Sequence, residues 1–128
     1  MQGAQVSVVS IPVSDQERSK AFYAGVLGFD VVMDNQFGEG LRWVMLRPQG
    51  GGAAITLVTW FPEMAPGSVQ GTVLAVPSLE AAIAAMVERG LQAGDLKVEE
   101  APWGRWVTIE DPDGNGWVVQ EDKPLRRS

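Results

Sequence analysis

Apolar and polar positions alternate through residues 5–13 (QVSVVSIPV), and β-branched side chains dominate the run, which predicts a strand. The period then changes to a helical one. Ala21, Phe22, Val26 and Leu27 fall on one face of a repeat that begins after Ser14 and ends at Gly28. Ser14 followed three residues later by Glu17 reads as a capping box, and Gly28 as the glycine that closes the helix. Further strands are predicted over 29–33, 41–47 and 53–60. They are separated by a polar loop at 34–40 and by a turn at 48–52 that holds three consecutive glycines. Residues 61–68 (FPEMAPGS), with two prolines and a glycine, read as a linker.

The order then repeats. A strand is predicted over 71–76, and Ser78 caps a helix of strong helix formers over 79–89 that Gly90 closes. Short strands follow near 96–99, 105–110 and 116–121, with the turn DPDGN at 111–115. Each half is therefore strand-helix-strand-strand-strand: one module over about 5–62 and a second over about 69–121, within a single domain of residues 1–128. The two helices superpose at an offset of 63 residues, with Val13 on Val76, although the halves share little identity. The fold class is α+β, an architectural repeat of two βαβββ units.

Composition narrows the chemistry. Ten Lys and Arg against 16 Asp and Glu give a net charge of -6, which excludes nucleic acid and anionic membrane as partners because both need a basic face. The chain has no cysteine, hence no disulfide or thiolate nucleophile, and no histidine, the commonest general base and metal ligand. Residues 1–12 lack the features of a signal peptide, and no apolar run approaches the ~20 residues that span a bilayer, so a cytoplasmic location is expected.

Four motifs carry a resemblance. Ile11-Pro12-Val13-Ser14-Asp15, followed by Ala21-Phe22-Tyr23 and Leu27-Gly28-Phe29, resembles the opening module of the vicinal oxygen chelate superfamily. That superfamily includes glyoxalase I, extradiol dioxygenases, fosfomycin resistance enzymes and bleomycin-binding resistance proteins. Asp111-Pro112-Asp113-Gly114-Asn115 is similar to its closing signature, and Pro102-Trp103-Gly104-Arg105 to the segment before it in the bleomycin-binding branch. The resemblance implies a curved eight-stranded mixed sheet with a concave ligand cleft. It also places the four metal-ligand positions of the metal-dependent members at Val8, Thr56, Gly71 and Val118. Valine and glycine offer no ligand and one threonine hydroxyl is a poor one, so no metal and no cofactor are expected.

With Val8, Thr56 and Val118 inward, the two-residue period of strands brings Ser10, Val58, Trp60 and Gln120 to the same concave face. Thr108 occupies the position of a cleft-facing tyrosine in the extradiol branch, and the same parity turns Trp106 inward. Leu46 packs toward a helix, which leaves Trp43 and Met45 in the cleft. Trp103, Phe37 and Phe61 fall at its rim, and Gly71 widens it for a bulky ligand. Trp117 and Tyr23 are expected in the core. A cleft lined by indoles stacks flat rings. Rim carboxylates such as Glu39, Glu63, Glu99 or Glu110 would attract a basic ligand, while Arg42 and Arg105 read as surface ion-pair partners.

The expected function is that of a metal-independent protein, a homodimer, that sequesters a planar aromatic or polycyclic ligand. That ligand would be a bleomycin-, mitomycin- or enediyne-like antibiotic, and its capture would confer resistance. One alternative is a metal-free isomerase, lyase or cyclase using Glu110, Asp111 or Tyr23. Another is a module that binds protein or a regulatory metabolite. Elemental analysis of dialysed protein should show no stoichiometric zinc, nickel, iron or manganese; a retained equivalent of any of them overturns the metal-free expectation.

Overall fold

The computed structural model describes residues 1–94 and 96–122, so the last six positions of the expected 1–128 domain lie outside the described residues. The first half contains β1 (Val8–Pro12), α1 (Gln16–Ala21), a π-helical turn (Phe22–Val26), β2 (Asp30–Gln36), β3 (Arg42–Arg47) and β4 (Ala54–Val58). The second contains β5 (Thr72–Ala75), α2 (Leu79–Glu88), β6 (Glu99–Ala101), β7 (Gly104–Glu110) and β8 (Gly116–Asp122). The eight strands divide into two four-stranded sheets, ordered β1-β4-β3-β2 and β5-β8-β7-β6, rather than joining in one hydrogen-bonded sheet. Each sheet is mixed. Its first and last strands pair in parallel, across the helical crossover, and its other pairs are antiparallel.

Several boundaries differ from the pattern-based expectation, each for a physical reason. Asp15, not Ser14, caps α1 by accepting from the Arg18 amide, while the Ser14 amide and hydroxyl donate to Asp113 of the closing turn. The helix expected to run to Leu27 turns π-helical after Ala21, and the Leu27 amide reaches back to the Phe22 carbonyl. The polar residues 34–36, expected in a loop, continue β2, because Asp34 is held by Lys20 and Arg42 while the backbone pairs with β3. β4 ends at Val58, so Trp60 lies beyond it, and β6 falls at 99–101 instead of 96–99.

One core joins the two halves. It takes Ile11, Val44, Leu46, Ile55 and Leu57 from the first sheet, Val107, Ile109, Trp117 and Val119 from the second, and Leu79 and Met86 from α2. Tyr23 and Phe29 of the first half lie 5.7 and 5.9 Å from the Trp117 ring of the second. A buried polar hub crosses the same boundary. The Tyr23 hydroxyl donates to Asp111 Oδ2 at 2.7 Å and accepts from Trp117 Nε1 at 2.9 Å. The amides of Asp113 and Asn115 both donate to Asp111 Oδ1. Asn115 Nδ2 donates to Asp111 Oδ2 and to the Pro12 carbonyl at the end of β1. Asp111 thus accepts four hydrogen bonds, which replace the water it lost on burial.

Tyr23 is the chain's one tyrosine, and its phenol is fully buried. Burial first, and then the hydrogen bond to Asp111, push its pKa far above the ordinary value. The folded state therefore keeps a proton that the unfolded chain releases above a pH of about 10, so this contribution to stability is present below that pH and lost above it. Tyrosinate absorbance should appear only as the protein unfolds in alkali. Tyr23→Phe should remove that alkaline component and destabilise the fold at neutral pH by about 1–3 kcal/mol, because the Trp117 N–H loses its acceptor. Free titration of the phenol in the folded protein would contradict the hub.

Candidate functional site

In β3 and β7 one face lies in the core and the other outside it. In β3, Val44 and Leu46 are buried in the core, which puts Trp43 and Met45 on the opposite face. In β7, Val107 and Ile109 enter the core, and Trp106 and Thr108 face the other way. Strand register aligns the open side. On the first sheet Ser10, Thr56 and Met45 share one rung, and Val8 sits opposite Ala54. On the second sheet Val73, Val118 and Thr108 share a rung, and Trp106 is paired with Gln120.

The open faces carry two aromatic groups. Trp43 and Trp60 stack with centroids 6.0 Å apart and planes 26° apart, and Phe61 lies 5.9 Å from Trp60. Trp103 and Trp106 are nearly parallel, at 6.2 Å and 6°. Trp43 and Trp106 are 63 residues apart and occupy the same place in the repeat. Trp103 is 61% exposed, while Trp117, on the core face, is 3% exposed.

The fifteen expected site residues therefore fall into two groups. Val8, Ser10, Trp43, Met45, Thr56 and Val58 lie on the face of the first sheet turned away from Leu46 and Leu57, where Thr56 and Val58 are themselves buried, with Trp60 and Phe61 just beyond β4. Trp106, Thr108, Val118 and Gln120 lie on the open face of the second, with Trp103 in the turn before β7. Gly71 precedes β5 in a left-handed conformation, with open space where a side chain would stand. Phe37 is exposed in the β2–β3 turn and makes no ring contact among the described residues.

Arg42 and Arg105, expected as surface ion-pair partners, are tied down by a repeated device, while Glu99, in register with Trp106, stays on the aromatic face. Arg42 binds Glu17 of α1 at 2.9 Å and Asp34 at 2.7 Å; Arg105 binds Glu80 of α2 at 2.8 Å and Glu121 at 3.0 Å. Both steps, 17 to 80 and 42 to 105, equal the 63-residue offset, so the spacing was readable in advance. Hydrogen bonds from Arg42 and then Lys20 hold the Asp34 carboxyl well below the usual carboxylate range. Arg105 likewise lowers Glu80, and the Leu79 amide, followed by Arg105, lowers Glu121. Of the rim carboxylates, Glu99 meets Lys97 at 3.6 Å, and Glu39, Glu63 and Glu110 are exposed.

Among the described residues no group of three or more His, Cys, Asp or Glu side chains converges as a metal site would require. Tyr23 and Asp111 are bound to each other inside the hub, which leaves Glu110 as the one suggested acid or base outside the core. A cavity of about 560 Å³ lies elsewhere, against the core side of both sheets. Val9, Phe29, Ile55, Leu74 and Trp117 line it, Arg89 stands beside it, and none of the fifteen expected residues contributes. Strand periodicity does not foresee it, because it depends on how the two halves meet.

Comparison with known proteins supplies the family. The model of the Glyoxalase/Bleomycin resistance protein/Dioxygenase superfamily matches residues 5–119. TnmS3, an antibiotic binding protein from Streptomyces sp. CB03234, is 37% identical over 96% of this chain and 99% of its own, with a TM-score of 0.83. A superfamily member from Sphaerobacter thermophilus DSM 20745 is 33% identical over 94% of this chain and 99% of its own, with a TM-score of 0.81. The uncharacterized protein YetH of Bacillus subtilis is 28% identical over 91% of this chain and 98% of its own.

Proposed function

The chain belongs to the Glyoxalase/Bleomycin resistance protein/Dioxygenase superfamily, and from that membership we propose that it is a binding protein that sequesters a planar aromatic or polycyclic antibiotic and so confers resistance. The two indole pairs on the open sheet faces carry this reading. They offer flat apolar surface that contributes nothing to the core, and a ring stacked on an indole gains about 0.5–1.5 kcal/mol beyond its burial. The resemblance to TnmS3, an antibiotic binding protein, supports the same ligand class. Binding of this kind needs neither metal nor proton transfer. That agrees with Val8, Thr56, Gly71 and Val118 at the positions where metal-dependent relatives carry ligands, and with a Tyr23–Asp111 pair that is committed to the hub.

The protein acts as a homodimer in the cytoplasm in this proposal. Trp103, Thr108 and Val73 leave the open face of the second sheet exposed, and a second copy would enclose a ligand there. No helix among the described residues is long and apolar enough to cross a membrane.

Titration with bleomycin, mitomycin and an enediyne, read by tryptophan fluorescence, tests the proposal. At least one should quench to a stoichiometric end point and be recovered unaltered, from a complex that sediments as a dimer. Trp103→Ala and Trp106→Ala should each weaken that binding by about 1–3 kcal/mol, or roughly 5- to 150-fold, while melting close to the parent. Trp117→Ala should do the reverse, costing about 3–5 kcal/mol of stability through the cavity it leaves. If the Trp103 and Trp106 variants melt early and bind normally, their indoles serve the fold and the stacking surface is refuted.

A further inference from the structure

The closing turn of the second half holds one of the chain's two asparagines, and a glycine follows it: Asn115-Gly116. The pair is intrinsically reactive. In an unrestrained chain nothing on the glycine shields its amide nitrogen, which can attack the neighbouring side-chain carbonyl. Asparagine is accordingly among the residues that shorten a protein's chemical lifetime when hot.

The fold requires both residues all the same. Asn115 is wholly buried, and its side-chain amide is used at both ends. Nδ2 donates to the Pro12 carbonyl and to Asp111 Oδ2, each at 2.8 Å, while Oδ1 accepts from the Val69 amide at 3.1 Å. An aspartate there would have no proton for either acceptor and would set a second carboxylate against Asp111. Glycine is needed at 116 because a β-carbon would run into the Gln70 side chain, which is fastened over the turn by bonds from Nε2 to the Gly67 and Gly114 carbonyls. The folded state also disarms the pair. The Gly116 N–H donates to the Val69 carbonyl at 2.8 Å, and the amide it would attack is held by three hydrogen bonds.

We propose that Asn115 is a covalent modification site that opening of the hub exposes, and that its modified form cannot rebuild the hub. Once Val69, Pro12 and Asp111 let go, the Gly116 nitrogen bonds to Asn115 Cγ and the Cγ–Nδ2 bond breaks. The proton of the Gly116 N–H leaves with the side-chain nitrogen as ammonia. Water then opens the cyclic imide at either carbonyl, giving aspartate, or isoaspartate with the chain rerouted through the side chain. Refolding would bury the new carboxylate beside Asp111 with its donors gone, a cost the folded state does not bear. Each opening therefore carries a risk of one-way removal from the folded pool. The inference stands apart from the binding reading.

Amide loss is followed by peptide mass mapping in two samples of the full chain, one folded and one unfolded in urea, in the same mildly alkaline buffer. Asn35, exposed on β2 and followed by Gln36, is the internal reference. Conversion at Asn115 should outpace that at Asn35 in the unfolded sample. In the folded sample it should be slower by about 10³-fold or more, because a native chain is open for roughly 10⁻³ of the time or less. When the urea is diluted out, the refolded fraction should contain only chains that kept the amide. Asn115→Asp, which supplies one product directly, should melt far below the parent or stay unfolded, whereas Asn35→Asp should melt close to it. Equal conversion in the folded and unfolded samples overturns gating by the hub, and absence of conversion in urea overturns the modification site. Converted chains, or Asn115→Asp, that refold with the parent's melting temperature overturn the block to refolding.

Discussion

A carboxylate with no cation beside it among the described residues holds the two halves of this protein together. Asp111 is 5% exposed and accepts from the Tyr23 hydroxyl, the Asn115 side chain and two backbone amides. One donor comes from the π-helical turn of the first half and the other three from the closing turn of the second. Asn115 extends the connection to the Pro12 carbonyl at the end of β1 and to the Val69 amide before β5. A buried carboxylate is tolerable only while every one of these bonds is made. The hub consequently fixes where the two sheets sit, and the faces they leave outside the core follow from it.

Those faces show a division of labour imposed by the two-residue period of a strand. Trp117 and Trp106 belong to adjacent strands of one sheet, yet the first fills the core and the second lies on the open side. The cations follow the opposite rule to the indoles. Arg42 precedes Trp43 and Arg105 precedes Trp106, and each arginine turns back to a glutamate on its own helix. The repeat therefore presents one Arg-Trp pair per half, with the guanidinium tied down and the indole free to stack. Partly exposed ion pairs of this kind add little stability individually. Their consequence is that the guanidinium next in sequence to each indole is held toward the helix of its own half.

Most of this could be read from the chain because it is periodic. The family resemblance turns Val8, Thr56 and Thr108 to one side, and alternation extends that side to Ser10 and Trp106; the strand register puts Ser10 beside Thr56 and Trp106 on the face opposite Val107 and Ile109. The failures occur where a distant partner decides. Ser14 looks like a helix cap, but Asp113, 99 residues away, claims its hydroxyl. Asp34, Asn35 and Gln36 look like a loop, but Lys20 and Arg42 neutralise Asp34 and β3 supplies the backbone partners. The cavity against Trp117 is set by the packing of two halves and leaves no mark on any single stretch.

That cavity also provides the sharpest contrast for locating the ligand, because of the five tryptophans only Trp117 lines it. Incorporating 5-fluorotryptophan gives one fluorine resonance per indole, each assigned by a single Trp→Phe substitution. If the open faces take the ligand, adding a planar polycyclic antibiotic to saturation moves resonances of Trp43, Trp60, Trp103 and Trp106 and leaves Trp117 in place. A shift of Trp117 alone would put the ligand in the cavity between the halves and contradict the stacking role of the open faces.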